Sequence, residues 1–244
     1  MNSSKKILTK FKNLLAIFKP GQKTRALEKK IQELEYRSFN RRFYAVEQVT
    51  EYLVGAEIPG DYLEFGVYKG DTFIHAYRWL MPNFPKMRFF AFDSFEGLPK
   101  PKGLDKKDDF SSNFHKNEFA CSKTDFLKNL RKEKIDLRKV RAIKGWFDET
   151  LKTKNLKKNS IDKIAFVWID CDLYESTVPV LNFIISRLTP GMVIVFDDWG
   201  SFRNNPKLGE QRACREWLQR NPKIKLGELF SYGCCGKVFT VVSC

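Results

Sequence analysis

The chain has 244 residues, of which 43% are hydrophobic and 22 are Phe, and it carries a formal charge of +15. This length and apolar content fit one α/β domain with an appended segment and exclude a disordered chain. No run of about 18 apolar residues occurs, which excludes a spanning helix.

The charge is uneven. Residues 1–45 hold 12 Lys/Arg against 3 Glu, and residues 100–160 hold 18 Lys/Arg against 9 Asp/Glu. These lysines are scattered through polar helical stretches, with no interleaved aromatic-basic motif, so specific nucleic-acid recognition is disfavoured. A solvated basic face comes first, and an anionic substrate or membrane surface second. The six cysteines (Cys121, Cys171, Cys214, Cys234, Cys235 and Cys244) form neither a CxxC pair nor a zinc spacing. They read as reduced thiols of a cytoplasmic protein.

In chain order, the first segment places Ile7, Leu8, Phe11, Leu14, Leu15 and Phe18 at helical spacing among five lysines, up to Pro20–Gly21. This is an amphipathic basic helix, too short and lysine-broken for a signal peptide. An anionic inner-membrane face, its own domain and a second subunit of a homo-oligomer are the candidates for its apolar stripe. Residues 24–54 continue as one or two polar helices. The expected division is a basic helical segment over 1–54 and a larger domain over 55–244.

From Pro59 the period changes. Strands are predicted over 61–67, 88–93, 139–145, 163–170, 192–198, 223–230 and 237–243, and helices over 71–81, 117–134, 175–188 and 209–220. Alternation of this kind gives a mostly parallel sheet covered on both faces. The last two strands are joined by a short GCCG-bearing connection and must form an antiparallel hairpin. The predicted fold is a Rossmann-like sheet, mostly parallel with a C-terminal antiparallel hairpin, with N-terminal helices added. It resembles the build of class I methyltransferases, but topology alone does not give function.

Four motifs carry chemistry. The first strand runs into Glu64-Phe-Gly66-Val-Tyr-Lys-Gly70, a strand-to-helix corner with free backbone N–H groups, and neither GxGxxG nor a P-loop. The second ends at Asp93, where an acid accepts hydrogen bonds from ribose hydroxyls. VWIDCDLYE delivers Asp170 and Asp172 at the end of an apolar run, and VIVFDDWG delivers Asp197 and Asp198. Paired carboxylates repel one another and are costly to desolvate, so a cation must offset them. Three oxygen ligands, Asp170, Asp197 and Asp198, without a neighbouring His suit Mg²⁺, and Asp172 is near enough to act as a base.

LEFGVYKGDT, FDSFEGLP, KGWFDETL, IDCDLYEST and LTPGMVIVFDDW occur in the order and spacing of a known family. From about residue 45 onward the chain resembles the macrocin O-methyltransferases, metal-dependent enzymes that use S-adenosylmethionine (SAM) to methylate sugar hydroxyls. The resemblance implies a SAM site at Glu64, Gly66, Gly70, Asp93 and Ser94, with Trp146 and Phe147 near the adenine. It implies Mg²⁺ on Asp170, Asp197 and Asp198, with Asp172 as general base and a glycan or glycosylated metabolite as acceptor. Three positions depart from the pattern: Asp71-Thr72 stands for Gly-Ser, Cys171 for Gly, and Met192 for a second Gly. None is a proposed ligand. Two rivals remain: a metal-dependent glycosyltransferase built on the Asp170-Cys171-Asp172 DxD, and a non-catalytic basic binding protein.

Overall fold

The computed structural model describes residues 22–106, 114–152 and 159–244. The amphipathic stripe of residues 1–20 lies outside them. Helix α1 (Gln22–Gly55) leads into β1 (Asp61–Phe65), α2 (Asp71–Asn83), β2 (Phe89–Asp93), α3 (Lys123–Lys132) and β3 (Val140–Lys144). A short α4 (Phe147–Thr150), β4 (Ile164–Ile169), α5 (Tyr174–Ile184), β5 (Val193–Phe196) and α6 (Gly209–Arg220) follow. The hairpin β6 (Lys225–Tyr232) and β7 (Gly236–Ser243) ends the chain. All seven predicted strands are present, and residues 24–54 form part of one helix.

The seven strands lie in the order β3-β2-β1-β4-β5-β7-β6. The first five are parallel, while β7 runs antiparallel to both β5 and β6. The short connection from Tyr232 to Gly236 permits only the antiparallel pairing. The fold is the expected one: a mostly parallel mixed sheet ending in an antiparallel hairpin.

Both faces of the sheet are covered, which is why β4 (IAFVWI) and β5 (VIVF) are buried at every position. Alternate residues go to opposite faces. Tyr62, Phe89, Phe166 and Trp168 pack in one cluster with Ala45, Val46, Val49 and Leu53 of α1, Phe73 of α2 and Phe126 of α3. Leu63, Phe65, Phe92, Val167, Ile169 and Phe196 pack in the other with Val180 and Leu181 of α5 and Trp217 of α6. Residues 45–53 of the first helix are therefore part of the sheet's own core.

The register prepares the site. Phe65 pairs with both Phe92 and Ile169, and Ile169 pairs with Phe196. One row further on stand Gly66, Asp93, Asp170 and Asp197. The ladder still reaches this row: Gly66 N–H donates to Phe92 O, Asp170 N–H to Phe65 O and Asp197 N–H to Ile169 O, each at 2.9 Å. Strand order reverses between β1 and β4, and at such a switch point the strand ends splay to leave a crevice.

Candidate active site

A cavity of about 360 Å³ opens at this crevice. Gly66, Asp93 and Ser94 line it from the ends of β1 and β2, Trp146 and Phe147 after β3, and Asp170, Cys171 and Asp172 after β4. Gly66 adopts φ +85°, and a Cβ there would lie 2.0 Å from the Asp170 carbonyl oxygen, so only glycine fits. Asp93 organises the corner above it. Its Oδ2 accepts from the N–H groups of Val67 (2.8 Å) and Tyr68 (3.2 Å), and its Oδ1 accepts from Phe95 N–H (2.6 Å). Burial pushes the Asp93 carboxyl up, against the pull of these three bonds. Ser94 Oγ donates to Gly97 O at 2.9 Å and accepts from Glu96 N–H at 3.0 Å, fixing the next turn.

Two residues assigned to the SAM site do not line the cavity. Glu64 shares a face with Tyr62, because strand side chains alternate. It is buried there, accepting the Tyr62 hydroxyl at 2.5 Å, and burial pushes its carboxyl well above the usual range. Gly70 precedes α2 at φ +93°, where a Cβ would meet the Phe126 ring at 2.9 Å. Its role is to close helix against helix. Of the aromatic residues flanking the motifs, Tyr68 lines the cavity. Tyr174 instead donates its hydroxyl to Glu216 at 2.7 Å, and Trp199 packs on Phe239 with ring centres 4.9 Å apart.

Beside the cavity, Asp170, Asp197 and Asp198 converge, with one carboxylate oxygen from each within 4.8 Å of the others. A cation already offsets two of them. Arg42, on the buried face of α1, donates Nη1–H to Asp170 Oδ2 at 2.7 Å and Nη2–H to Asp197 Oδ2. Burial works against its charge, but Asp170 and Asp197 more than compensate and hold it above the ordinary arginine value. Tyr232 donates its hydroxyl to Asp197 Oδ1, and Ser201 donates to Asp198 Oδ1, both at 2.7 Å. Glu210, fully buried in the first turn of α6, accepts Asp198 N–H at 3.0 Å. Burial first, and neighbouring acids second, push both Asp198 and Glu210 well up. Asp172 is buried at φ 59° and faces the cavity.

An all-oxygen donor set, with Asp198 Oδ2 buried and lacking a hydrogen-bond partner, fits a hard divalent cation such as Mg²⁺. The sequence reading missed Arg42 and Glu210. Arg42 lies in a polar helix with no local signal, and an acid in a first helical turn ordinarily reads as a partner of the helix dipole. It also missed Asp105, a cavity residue whose carboxylate accepts the N–H groups of Tyr174 and Glu175, each at 2.9 Å, at the start of α5. Burial raises its pKa to about 6.

A model of the macrocin-O-methyltransferase (TylF) family matches residues 10–217. The chain belongs to that family. Demethyldecarbamoylnovobiocin O-methyltransferase of Streptomyces niveus is 29% identical over 162 residues, covering 65% of this chain and 60% of the relative. Mycinamicin III 3''-O-methyltransferase of Micromonospora griseorubida is 29% identical over 164 residues, covering 65% and 63%. The chain thus spans about three fifths of the length of the curated relatives it matches. The crystal structure of CalS11, a calicheamicin methyltransferase, superposes with a TM-score of 0.67 at 23% identity, covering 97% of this chain and 91% of that one. That likeness shows the fold. Among the described residues, no helix is long and apolar enough to cross a membrane.

Proposed function

We propose that this protein transfers the methyl group of SAM to a hydroxyl of a sugar or glycosylated metabolite. The observation that carries the reading is the meeting of two differently built sites at one strand edge. Asp170 and Asp172 belong to the cavity wall, and Asp170 also belongs to the acid cluster. A donor held in the cavity therefore lies beside an acceptor held at the acids. Family membership supports the same reaction, and the two relatives named above are O-methyltransferases by name.

In this reading Gly66 admits the donor close to the backbone, Asp93 and Ser94 hold its ribose side, and Trp146 and Phe147 flank its adenine. Glu64 and Gly70 act from outside the cavity, by packing. Aligning donor carbon and acceptor oxygen is the main task of the site, because displacement at carbon needs an in-line approach. The acceptor oxygen forms the new O–C bond as the S–C bond breaks, which turns the sulfonium into a neutral thioether. The hydroxyl proton passes to the Asp172 carboxylate. Asp170, Asp197 and Asp198 would hold Mg²⁺, which when bound polarises the acceptor oxygen and lowers the pKa of its proton.

The glycosyltransferase reading asks Asp170 and Asp172 to act together on a sugar-nucleotide diphosphate. It gives no role to Asp197, Asp198 or the Gly66 corner. Calorimetric titration of the full chain with SAM, a UDP-sugar and RNA separates the three readings. Saturable 1:1 binding of SAM alone is expected. Binding of the UDP-sugar without SAM would transfer the case to the glycosyltransferase, and binding of RNA alone to a non-catalytic role.

A further inference from the structure

We infer that Arg42 is the counter-ion that a divalent cation must displace from Asp170 and Asp197, which makes this residue of α1 the determinant of metal affinity at the site. The inference rests on the metal reading above. Both Nη atoms of Arg42 are committed, one to Asp170 Oδ2 and one to Asp197 Oδ2, and the residue is only 7% exposed. These are two of the three carboxylates that converge. Of the other oxygens, Asp197 Oδ1 accepts from Tyr232 and Asp198 Oδ1 from Ser201. While Arg42 stays in place, Asp198 Oδ2 is a buried oxygen of the triad without a hydrogen-bond partner among the described residues. With two of its three carboxylates engaged by a guanidinium, the triad is a poor site for Mg²⁺, which prefers six oxygen ligands and dehydrates reluctantly.

Arg42 cannot make room by losing its proton, since a guanidinium stays charged at any working pH. Ion and guanidinium would then stand side by side on the same two carboxylates, and like charges at that range repel strongly in a buried setting. The side chain must move, and α1 is built to let it. Ala45, Val46, Val49 and Leu53 anchor the helix in the core, whereas Asn40 and Arg41 on the other side of Arg42 are exposed. Arg42 thus stands where the buried stretch of α1 gives way to two exposed residues. Without an ion it neutralises the acids; with one, its guanidinium is released toward solvent.

The probe is Mn²⁺ alone, titrated into the full chain and followed by electron paramagnetic resonance. Arg42→Met keeps the stem but removes the competing charge, so it should bind Mn²⁺ at least tenfold more tightly than wild type, with Arg42→Lys between the two. Without metal, Arg42→Met should melt lower than wild type, and Mn²⁺ should raise its Tm by the larger amount. In wild type, Mn²⁺ should speed amide exchange over residues 40–44, a readout that holds even where Arg42→Met does not fold. Equal or weaker Mn²⁺ binding by folded Arg42→Met, or unchanged exchange in the metal-bound wild type, overturns the inference and leaves the metal reading standing. Failure of wild type and both variants to bind Mn²⁺ at millimolar concentration removes the metal reading itself.

Discussion

On one side of the strand reversal, the ends of β1, β2 and β3 form an open cavity shaped mainly by backbone. Its parts are Gly66 at φ +85°, the turn amides gathered by Asp93, and the Trp146–Phe147 step into α4. On the other side, the ends of β4 and β5 form a closed cluster of charged side chains. There Arg42 pairs with Asp170 and Asp197, 128 and 155 residues later in sequence, beside Asp198 and Glu210. The first side is preformed by local turn geometry, and a ligand need only enter it. The second is held by long-range ion pairing, and on the inference above a cation would exchange into it. Binding of the methyl donor should therefore be insensitive to metal, while the chemical step depends on the acids.

The largest expected effect tests that division of labour. Asp172→Asn keeps the side chain's shape but removes the proton acceptor, so turnover should fall by roughly 10²–10⁴-fold while SAM affinity stays at the wild-type value. Single-turnover kinetics beside calorimetry would check both. Wild-type turnover would remove Asp172 from the chemistry, and a parallel loss of SAM binding would merge the two sides into one.

Gly66→Ala attacks the seam between them. The added Cβ meets the Asp170 carbonyl at 2.0 Å in a backbone conformation that disfavours side chains. A stability loss of roughly 2–4 kcal/mol in urea unfolding is expected. A neutral substitution would mean that β1 and β4 are not held at this distance.

The same contrast explains what the sequence made legible. Parallel strands buried on both faces are near-continuous apolar runs, so KIAFVWID and MVIVFDD announce both a strand and the acids at its end. Gly66, Asp93, Asp170 and Asp197 all stand at the carboxyl ends of their strands, so placing them at a common edge needed only the strand assignment and a parallel topology. Glu64 was drawn into the same motif by proximity, yet it points with Tyr62 to the face opposite Phe65. Gly70 has the positive φ of a ligand loop, but what it makes room for is Phe126. Arg42 was illegible for a different reason. In a helix rich in Lys, Arg and Glu, one buried arginine looks like its solvated neighbours until the acids that hold it are placed.

Smaller effects sharpen the cavity side. Asp93→Ala leaves the N–H groups of Val67, Tyr68 and Phe95 without their shared acceptor. SAM affinity should weaken by about 1.5–3 kcal/mol, measured by calorimetry on the folded variant. Unchanged affinity would show that the corner is held by other means and that the ribose lies elsewhere.

The smallest effect concerns pH. Burial raises the Asp105 carboxyl to about 6, above the unfolded value of about 3.9. A raised folded value means that the folded state binds this proton more tightly. The stability contributed by this group is therefore full below pH ~4 and is lost as pH rises through about 6. Carbon-13 detection should find a carboxyl titrating near 6 that Asp105→Asn removes, and the variant should show a flatter Tm profile over that window. A titration midpoint near 4 would show Asp105 to be solvated rather than enclosed between its loop and α5.

The decisive measurement is transfer of a labelled methyl group from SAM to a panel of glycosides and nucleotide sugars, run with EDTA and then with Mg²⁺ restored. The prediction is label on a sugar hydroxyl of at least one acceptor, loss of transfer in EDTA with SAM still bound, and recovery on adding Mg²⁺. SAM that binds but never yields a methylated sugar, or transfer at full rate after exhaustive dialysis against EDTA, would contradict it.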